Sequence, residues 1–353
     1  MDTVYLVTGA GGFLGGQIVE RLVAQKKRVR ALLMPGDSAR EHLLYNVELF
    51  EGDVRDRASC AEAFDTGGAP LKVVHAAGIV TIASKHDELV REINVGGTAN
   101  IISLCEEYRV QKLVYISSVH AIPEKPRGEV MSETDTFSPD LVEGLYAKTK
   151  AEATALALAA ARRGLDVSVV HPSGLCGPGD RGRSYLKQLI IDYVSGGLSA
   201  GVEGGYDFAD VRDVADGIVS CLEKGRRGEC YILSGRYVSV RELLAALSRV
   251  TGLRPVKLIL PMSLAKLTAP LAEAYYKLLG QPPLYTSYSM FTLSGNALFT
   301  HEKAARELGY KTRPLENTLS DAYRWLELNG MLRAKKRPPL AKPRLKKKSR
   351  AGT

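Results

Sequence analysis

Cysteine is sparse in this chain and never paired. Cys60, Cys105, Cys176, Cys221 and Cys230 are spread along 353 residues. They are odd in number, with no close pair to chelate zinc or cycle a disulfide. That excludes a disulfide scaffold, gives no metal site, and fits a reduced, cytoplasmic setting. Long apolar runs are missing too. Met1-Asp2 leads straight into Val4 to Val7 without a basic segment or a long hydrophobic one, so no secretion signal is expected. The most apolar late stretch, Leu258 to Leu279, is broken by Pro261, Lys266, Pro270, Glu273 and Lys277. Each is costly in hydrocarbon, so this stretch reads as a packed amphipathic helix and no transmembrane segment is expected.

Acidic residues are absent from the last 21 positions. Arg333 to Thr353 holds ten Lys or Arg, interspersed with Pro338, Pro339 and Pro343, and the other 332 residues carry 38 basic against 39 acidic groups. The net charge of +9 is therefore a property of the tail, and the body is nearly neutral. With little apolar content the tail reads as a solvated, disordered extension. An isolated polybasic run binds phosphate without specificity, so no specific nucleic-acid partner is implied.

The remainder, with 45% hydrophobic residues, is long enough for a full core. Short runs rich in Val and Ile recur at Val4 to Val7, Val29 to Leu33, Val47 to Phe50, Val73 to His75, Leu113 to Ile116 and Val167 to Val170. Between them, Gly12 to Lys26, His86 to Tyr108 and Gly144 to Arg163 carry apolar residues at helical spacing. Strands that lack polar alternation are buried on both faces, which predicts a parallel α/β sheet. The fold class is a Rossmann doubly wound sheet of order 3-2-1-4-5-6, with a cofactor crevice at its switch point. Residues 1–180 form the dinucleotide-binding core with the catalytic residues. Residues 181–332 form mainly a smaller C-terminal substrate-binding part, some segments returning to the core, and 333–353 the tail. Glu124 to Pro139, dense in Pro, Gly and charge, reads as a surface loop.

The first strand runs into Thr8-Gly9-Ala10-Gly11-Gly12-Phe13-Leu14-Gly15 and then a helix. Gly9 permits the tight turn, Gly12 lets the backbone approach a pyrophosphate, and Gly15 allows close helix packing, while the helix N-terminus offers N–H groups to the anion. Strand, spacing and helix together point to NAD or NADP. NAD-selecting folds place an acidic residue at the end of the second strand. Here Leu33-Met34 stands there, which favours NADP, with Arg30 or Arg40 as candidates for its 2′-phosphate. Asp53-Val54, after the third strand, offers a carboxylate to the adenine edge or a helix cap.

Tyr146 and Lys150 are four apart at the start of a helix, which puts phenol and ammonium on one face. A phenol titrating near 10 needs a nearby cation to act as an acid or base at neutral pH, and Lys150 supplies one. Ser118, at the end of the fifth strand, is placed to hold a substrate oxygen toward Tyr146. His120 is a secondary candidate. Tyr275, Tyr276, Tyr285, Tyr288 and Phe291 gather aromatic area that suits either an apolar pocket or helix packing.

In family order, the chain carries Gly9-Gly12-Gly15, Asp53, His75-Ala76-Ala77-Gly78, Asn94-Val95 with Gly97-Thr98, Ser118, Tyr146 with Lys150, Pro172 to Gly179 and Asp210 to Gly217. It resembles the extended short-chain dehydrogenase/reductases, the NAD-dependent epimerase/dehydratase group, from about Thr3 to Gly330. It is most similar there to dihydroflavonol 4-reductase-like and 3β-hydroxysteroid dehydrogenase-like proteins, whose late Glu302 to Tyr310 segment and Trp325 it shares. The resemblance implies a Ser118, Tyr146, Lys150 catalytic triad, a nicotinamide side lined by Ala76, Ala77 and Pro172, and a homodimer through His86 to Tyr108 and Gly144 to Arg163. It implies reduction of a ketone, or oxidation of a secondary alcohol, on a bulky ring substrate. The alternatives are an epimerase or dehydratase of nucleotide sugars and a non-catalytic dinucleotide sensor. His171-Pro172-Ser173-Gly174 lacks the Asn with which the epimerases grip the sugar-nucleotide diphosphate, and the Arg that NADP-using relatives often carry near Met34 is absent.

Overall fold

The computed structural model describes residues 1–43, 46–81, 88–182, 184–265, 267, 293–332 and 338–339. Its centre is a sheet of β1 (Val4–Thr8), β2 (Arg28–Leu33), β3 (Val47–Glu51), β4 (Leu71–His75), β5 (Lys112–Ile116) and β6 (Val167–Pro172). Every pairing between them is parallel. From one edge the order is 3-2-1-4-5-6, as predicted, and a seventh strand continues beyond β6.

Both faces are covered, which is why these strands are apolar throughout. In β1, Val4 and Leu6 enter one core with the helices Gly97–Glu107 and Leu145–Arg163. Tyr5 and Val7 enter the other with Phe13–Ala24 and Val211–Lys224. Successive side chains of a strand point to opposite faces, so one strand anchors two helical layers.

Three short strands, β7 (Gly174–Cys176), β8 (Ala200–Val202) and β9 (Gly205–Asp210), follow the main run. The chain then re-enters the sheet as β10 (Cys230–Leu233), the seventh strand, parallel to β6. Four residues that far along gave no signal of their own. Next, β11 (Arg236–Ser239) pairs with β9 and β9 with β7, and β12 (Leu258–Leu260) pairs with β8. These strands and the helices Tyr185–Ser195, Val240–Thr251 and Leu315–Leu328 surround a third core. Helix Val211–Lys224 lies instead against Phe13–Ala24, where the Arg21 guanidinium bonds the Arg212 carbonyl at 3.1 Å and Asp216 at 2.7 Å.

Several expectations change. Leu258 to Leu279 does not begin as a helix, because Leu258–Leu260 extends along β8 before Pro261. Residues 268–279 of that stretch, with Tyr275, Tyr276, Tyr285, Tyr288 and Phe291, lie outside the described residues. The segment read as one helix from His86 runs, as described, from Glu88 to Glu107 with a π turn at Glu92–Gly96. Glu124 to Pro139 is more than a surface loop. Met131 bridges to Phe299, and the Asn296 amide donates to the carbonyls of Lys125, Pro126 and Glu129. The Glu133 carboxylate accepts the outward N–H of Ile232 in β10 at 2.8 Å. Of the basic tail, Pro338 and Pro339 are described and lie beside Leu253 and Arg254. All five cysteines are free and buried, and among the described residues no helix is long and apolar enough to cross a membrane.

Lys112 ties the sheet to its C-terminal return. Its buried ammonium donates to Asp166 Oδ1 (2.7 Å), Ser168 Oγ (2.8 Å) and the Gly225 carbonyl (2.7 Å). Lys112→Met removes all three bonds and leaves their acceptors unmatched. The expected loss is about 2–4 kcal/mol of unfolding free energy, read as a lower urea midpoint at unchanged slope. A midpoint equal to wild type would show that desolvation of the ammonium cancels its bonds.

Candidate active site

The site is assembled where β1, β4 and β5 end. Gly9 leaves β1 at φ +65°, and a Cβ there would lie 2.7 Å from the Ala77 nitrogen. At Gly15 a Cβ would run into the Gly9 carbonyl, and at Gly12 it would stand 3.2 Å from that oxygen. Gly12 caps helix Phe13–Ala24 without a side-chain bond, and the first turn holds no acidic residue. Leu14 packs against the second core, and Phe13 faces Leu175 and Trp325 across a cleft toward the C-terminal part. Bare backbone and uncapped N–H groups are what a pyrophosphate requires, so these residues fit a dinucleotide.

A directional hydrogen-bond chain holds this turn against the end of β4. The Ala77 N–H donates to Thr8 Oγ1 (3.2 Å), which meets His75 Nδ1 (2.8 Å); His75 Nε2 meets Thr98 Oγ1 (3.1 Å), which donates to the Asn94 carbonyl (2.7 Å). The proton positions follow from the ends. Thr98 spends its hydrogen on a carbonyl, so it accepts from Nε2–H, and Nδ1 accepts from Thr8. Burial, helped by the nearby Lys150 charge, pushes the His75 pKa down to about 3 and keeps the ring neutral. Asn94, inside the π turn, exchanges two bonds with Ile79 and donates to Thr149 Oγ1, which donates to the Tyr146 carbonyl. The cradle and helix Leu145–Arg163 are thereby joined.

Lys150 is buried, and its ammonium donates to the Ile116 carbonyl at 2.8 Å. It lies over the Tyr115 ring at 5.2 Å and 3.5 Å from where a Cβ on Gly78 would be. Burial pulls its pKa down from 10.5 to about 8. A second pin, Ser117 to Thr154 at 2.7 Å, holds the end of β5 to the helix. Ser118 follows at once. Its Oγ accepts the His120 N–H at 3.2 Å, which leaves its own hydrogen to donate, and its carbonyl lies 2.9 Å from His171 Nδ1. His120 meets Tyr146 edge-on at 6.0 Å between ring centroids, and its Nε2 lies 2.8 Å from the Tyr206 hydroxyl. Burial lowers the His120 pKa to about 4, so the ring is neutral and is no proton donor at neutral pH. Sequence reasoning missed Tyr206, which stands on β9 outside any motif.

Lys150 stands beside Gly78, Tyr146 opens the same helix four residues earlier, Ser118 caps the short turn that follows β5, and Pro172 ends β6. Asp53 follows β3 and is paired with Arg55. Its carboxylate takes the Arg55 guanidinium at 2.6 Å and 2.9 Å, which lowers its pKa, and the cap of the next helix is Asp56. Val54 packs under Gly97. Arg30 is buried, stacked on Phe50 and bonded to Glu48 and the carbonyls of Ala63 and Asp65. Arg40 pairs with Glu51 at 2.7 Å.

Two outcomes follow. Gly15→Ala is expected to abolish dinucleotide binding in calorimetric titration, and retained affinity would refute the cradle. For Lys150 the sign is set by a folded pKa below the unfolded one. The buried charge costs stability at every pH below about 8, and the cost fades as pH rises from there toward 10.5. Lys150→Met should therefore be more stable than wild type at neutral pH, by about 1–2 kcal/mol of unfolding free energy after loss of the Ile116 bond, and unfold at a higher temperature. The difference should shrink above pH 8, and a less stable variant at neutral pH would contradict it.

The model of the NAD dependent epimerase/dehydratase family matches residues 5–234. Sterol demethylase protein B of Methylococcus capsulatus is 30% identical, over 93% of this chain and 99% of that protein. A putative dihydroflavonol 4-reductase of Synechocystis is 30% identical, over 94% and 97%. The crystal structure of gox2253 superposes with a TM-score of 0.81 at 31% identity, covering 94% of this chain and 99% of that one. With its sheet order and glycine cradle, the chain belongs to the NAD-dependent epimerase/dehydratase family of the extended short-chain dehydrogenase/reductases, and is a nicotinamide-dependent oxidoreductase.

Proposed function

We propose that the protein interconverts a ketone and a secondary alcohol on a bulky, largely apolar ring substrate, with Tyr146 as general acid and base. The observation that carries this reading is the buried Lys150 ammonium, held by the Ile116 carbonyl beside Gly78 and one helical turn from Tyr146 on the same face. A cation fixed there favours the phenolate, so Tyr146 can give a proton to the substrate oxygen or take one from it. The bound dinucleotide supplies or accepts the hydride. Ser118, with its hydroxyl hydrogen unspent, donates to the same oxygen and orients it. Beside Tyr146 the neutral His120 ring stacks on Tyr206 at 5.6 Å between centroids, with Phe208 edge-on to Tyr206 at 5.9 Å, an aromatic group that suits an apolar ring substrate. Ring substrates are supported by the names of two relatives, a sterol demethylase protein and a putative dihydroflavonol reductase.

The nucleotide-sugar reading loses support along His171-Pro172-Ser173-Gly174, which carries no amide side chain and is closely packed at Gly174. A Cβ there would stand 2.8 Å from the Asp207 carbonyl and 3.0 Å from the Tyr206 ring, so the position has no room for an amide that would grip a diphosphate.

Tyr146→Phe should lower turnover of ring ketones by roughly 10²- to 10⁴-fold, followed by the absorbance of reduced nicotinamide, while dinucleotide affinity stays at the wild-type value. Substantial residual turnover would show that another group moves the proton. Turnover of a nucleotide sugar with no net change in nicotinamide absorbance would replace this reading with epimerisation.

A further inference from the structure

The pairing of β5 with β6 is cut short by its own sequence. The Leu113 N–H donates to the Asp166 carbonyl and the Ser117 N–H to the Val170 carbonyl, each at 2.8 Å. In a parallel ladder of that register the next donor to β5 is the backbone N–H of residue 172. Residue 172 is a proline and has none. The backbone ladder therefore stops just before Ser118.

A side chain takes over there. His171 Nδ1 lies 2.9 Å from the Ser118 carbonyl, and since a carbonyl only accepts, Nδ1 carries the hydrogen. The same carbonyl accepts the Ala121 N–H at 3.0 Å, which closes the turn Val119–Ala121. One bond thus shapes the turn, and the other fastens it to β6. The His171 ring is fully buried and lies flat on Phe137, with 5.2 Å between centroids and 6° between planes. Burial, helped by the Lys150 and Lys303 charges, holds its pKa down to about 4 against the pull of the Ser118 bond. The ring is therefore neutral, with Nε2 a bare acceptor that has no hydrogen-bond partner among the described residues. A buried acceptor left unmatched is unfavourable, and an aliphatic side chain would avoid that cost. What the imidazole adds at this position is the Nδ1–H.

We infer that His171 is a positioning residue for Ser118: its Nδ1–H ties the turn after β5 to the end of β6 and so holds the Ser118 hydroxyl at the substrate oxygen. The inference rests on the proposed role of Ser118 as donor to that oxygen. His171 acts through the Ser118 backbone and moves no proton. Backbone control suffices, because Ser118 Oγ is already tied within its own turn by the His120 N–H, and a shift of the carbonyl carries the hydroxyl with it. A displacement of about 1 Å at such a group can cost on the order of 10²-fold in rate.

Two measurements on the full-length protein test this. Heteronuclear NMR of protein labelled at the histidine nitrogens, with His171 assigned by the signals lost in His171→Asn, should show a neutral ring with its hydrogen on Nδ1 at neutral pH. An imidazolium, or hydrogen on Nε2, overturns the inference. Reduction of the bicyclic ketone decalone is then followed with saturating NADH or NADPH in wild type, His171→Leu, His171→Asn, Ser118→Ala and Ser118→Ala/His171→Leu. His171→Leu should lower kcat roughly tenfold while KM changes by less than about twofold. His171→Asn, whose amide N–H falls where the Nδ1–H stands, should recover most of that loss. Ser118→Ala should lower kcat by roughly 10²-fold, and His171→Leu should cost nothing more in that background, where no hydroxyl is left to misplace. Equal losses in both backgrounds would mark His171 as a packing residue and overturn the inference alone. Wild-type turnover in Ser118→Ala, or no reduction by wild type, would refute the proposed reaction or the role of Ser118 in it, and this inference with them. His171→Gln, whose amide reaches the Nε2 position instead, replaces the apolar variant in the cycle if that variant does not fold.

Discussion

The structure depends on two backbones touching. The turn after β1 and the turn after β4 approach until no Cβ fits between Gly9 and Ala77, and the Gly15 helix packs on the same turn. Because β1 and β4 are neighbours whose connections leave on opposite sides of the sheet, their ends bound the crevice of a doubly wound fold. The Thr8, His75, Thr98 chain then fixes the distance across it. Each hydrogen in that chain has one direction, set by the Ala77 N–H at one end and the Asn94 carbonyl at the other. It therefore acts as a strut of defined length and not as a proton path, since reversal would turn the Thr98 hydrogen to His75 and leave the Asn94 carbonyl without its donor.

The second constraint is electrostatic. Lys150 is buried with the Ile116 carbonyl as its hydrogen-bond acceptor and the Tyr115 ring beneath it. Such a charge is destabilising on its own, and a site that retains one gives up fold stability for the position of that charge. Its pKa of about 8 leaves it mostly protonated at neutral pH, with the phenol of Tyr146 on the same helical face.

Much of this was legible in the chain. Strands buried on both faces give short unbroken apolar runs, so β1 to β6 and their order could be read directly, as could the Gly-rich turn and the four-residue Tyr146 to Lys150 spacing. Other parts were not. β10 has four residues and owes its place to pairing with β6, and Leu258–Leu260 reads equally as the start of a helix until its β8 partner is known. Arg30 looked available for a phosphate because charge is visible in sequence and direction is not: it points beneath Phe50. Tyr206 reaches His120 from a strand about 90 residues away, and no local pattern encodes such a meeting.

The glutamate at position 133 has a consequence beyond the site. A seven-stranded sheet whose last strand is short and apolar presents unpaired backbone donors along its rim, and such a rim is a template for another chain. The Glu133 carboxylate takes the outward N–H of Ile232, and the segment that carries it is itself fastened at Met131 to Phe299. The rim is thus occupied by a charged side chain on a tethered loop. Strand addition there, the usual route from an open sheet to fibrils, would have to displace a carboxylate and unfasten its loop before the first intermolecular bond could form.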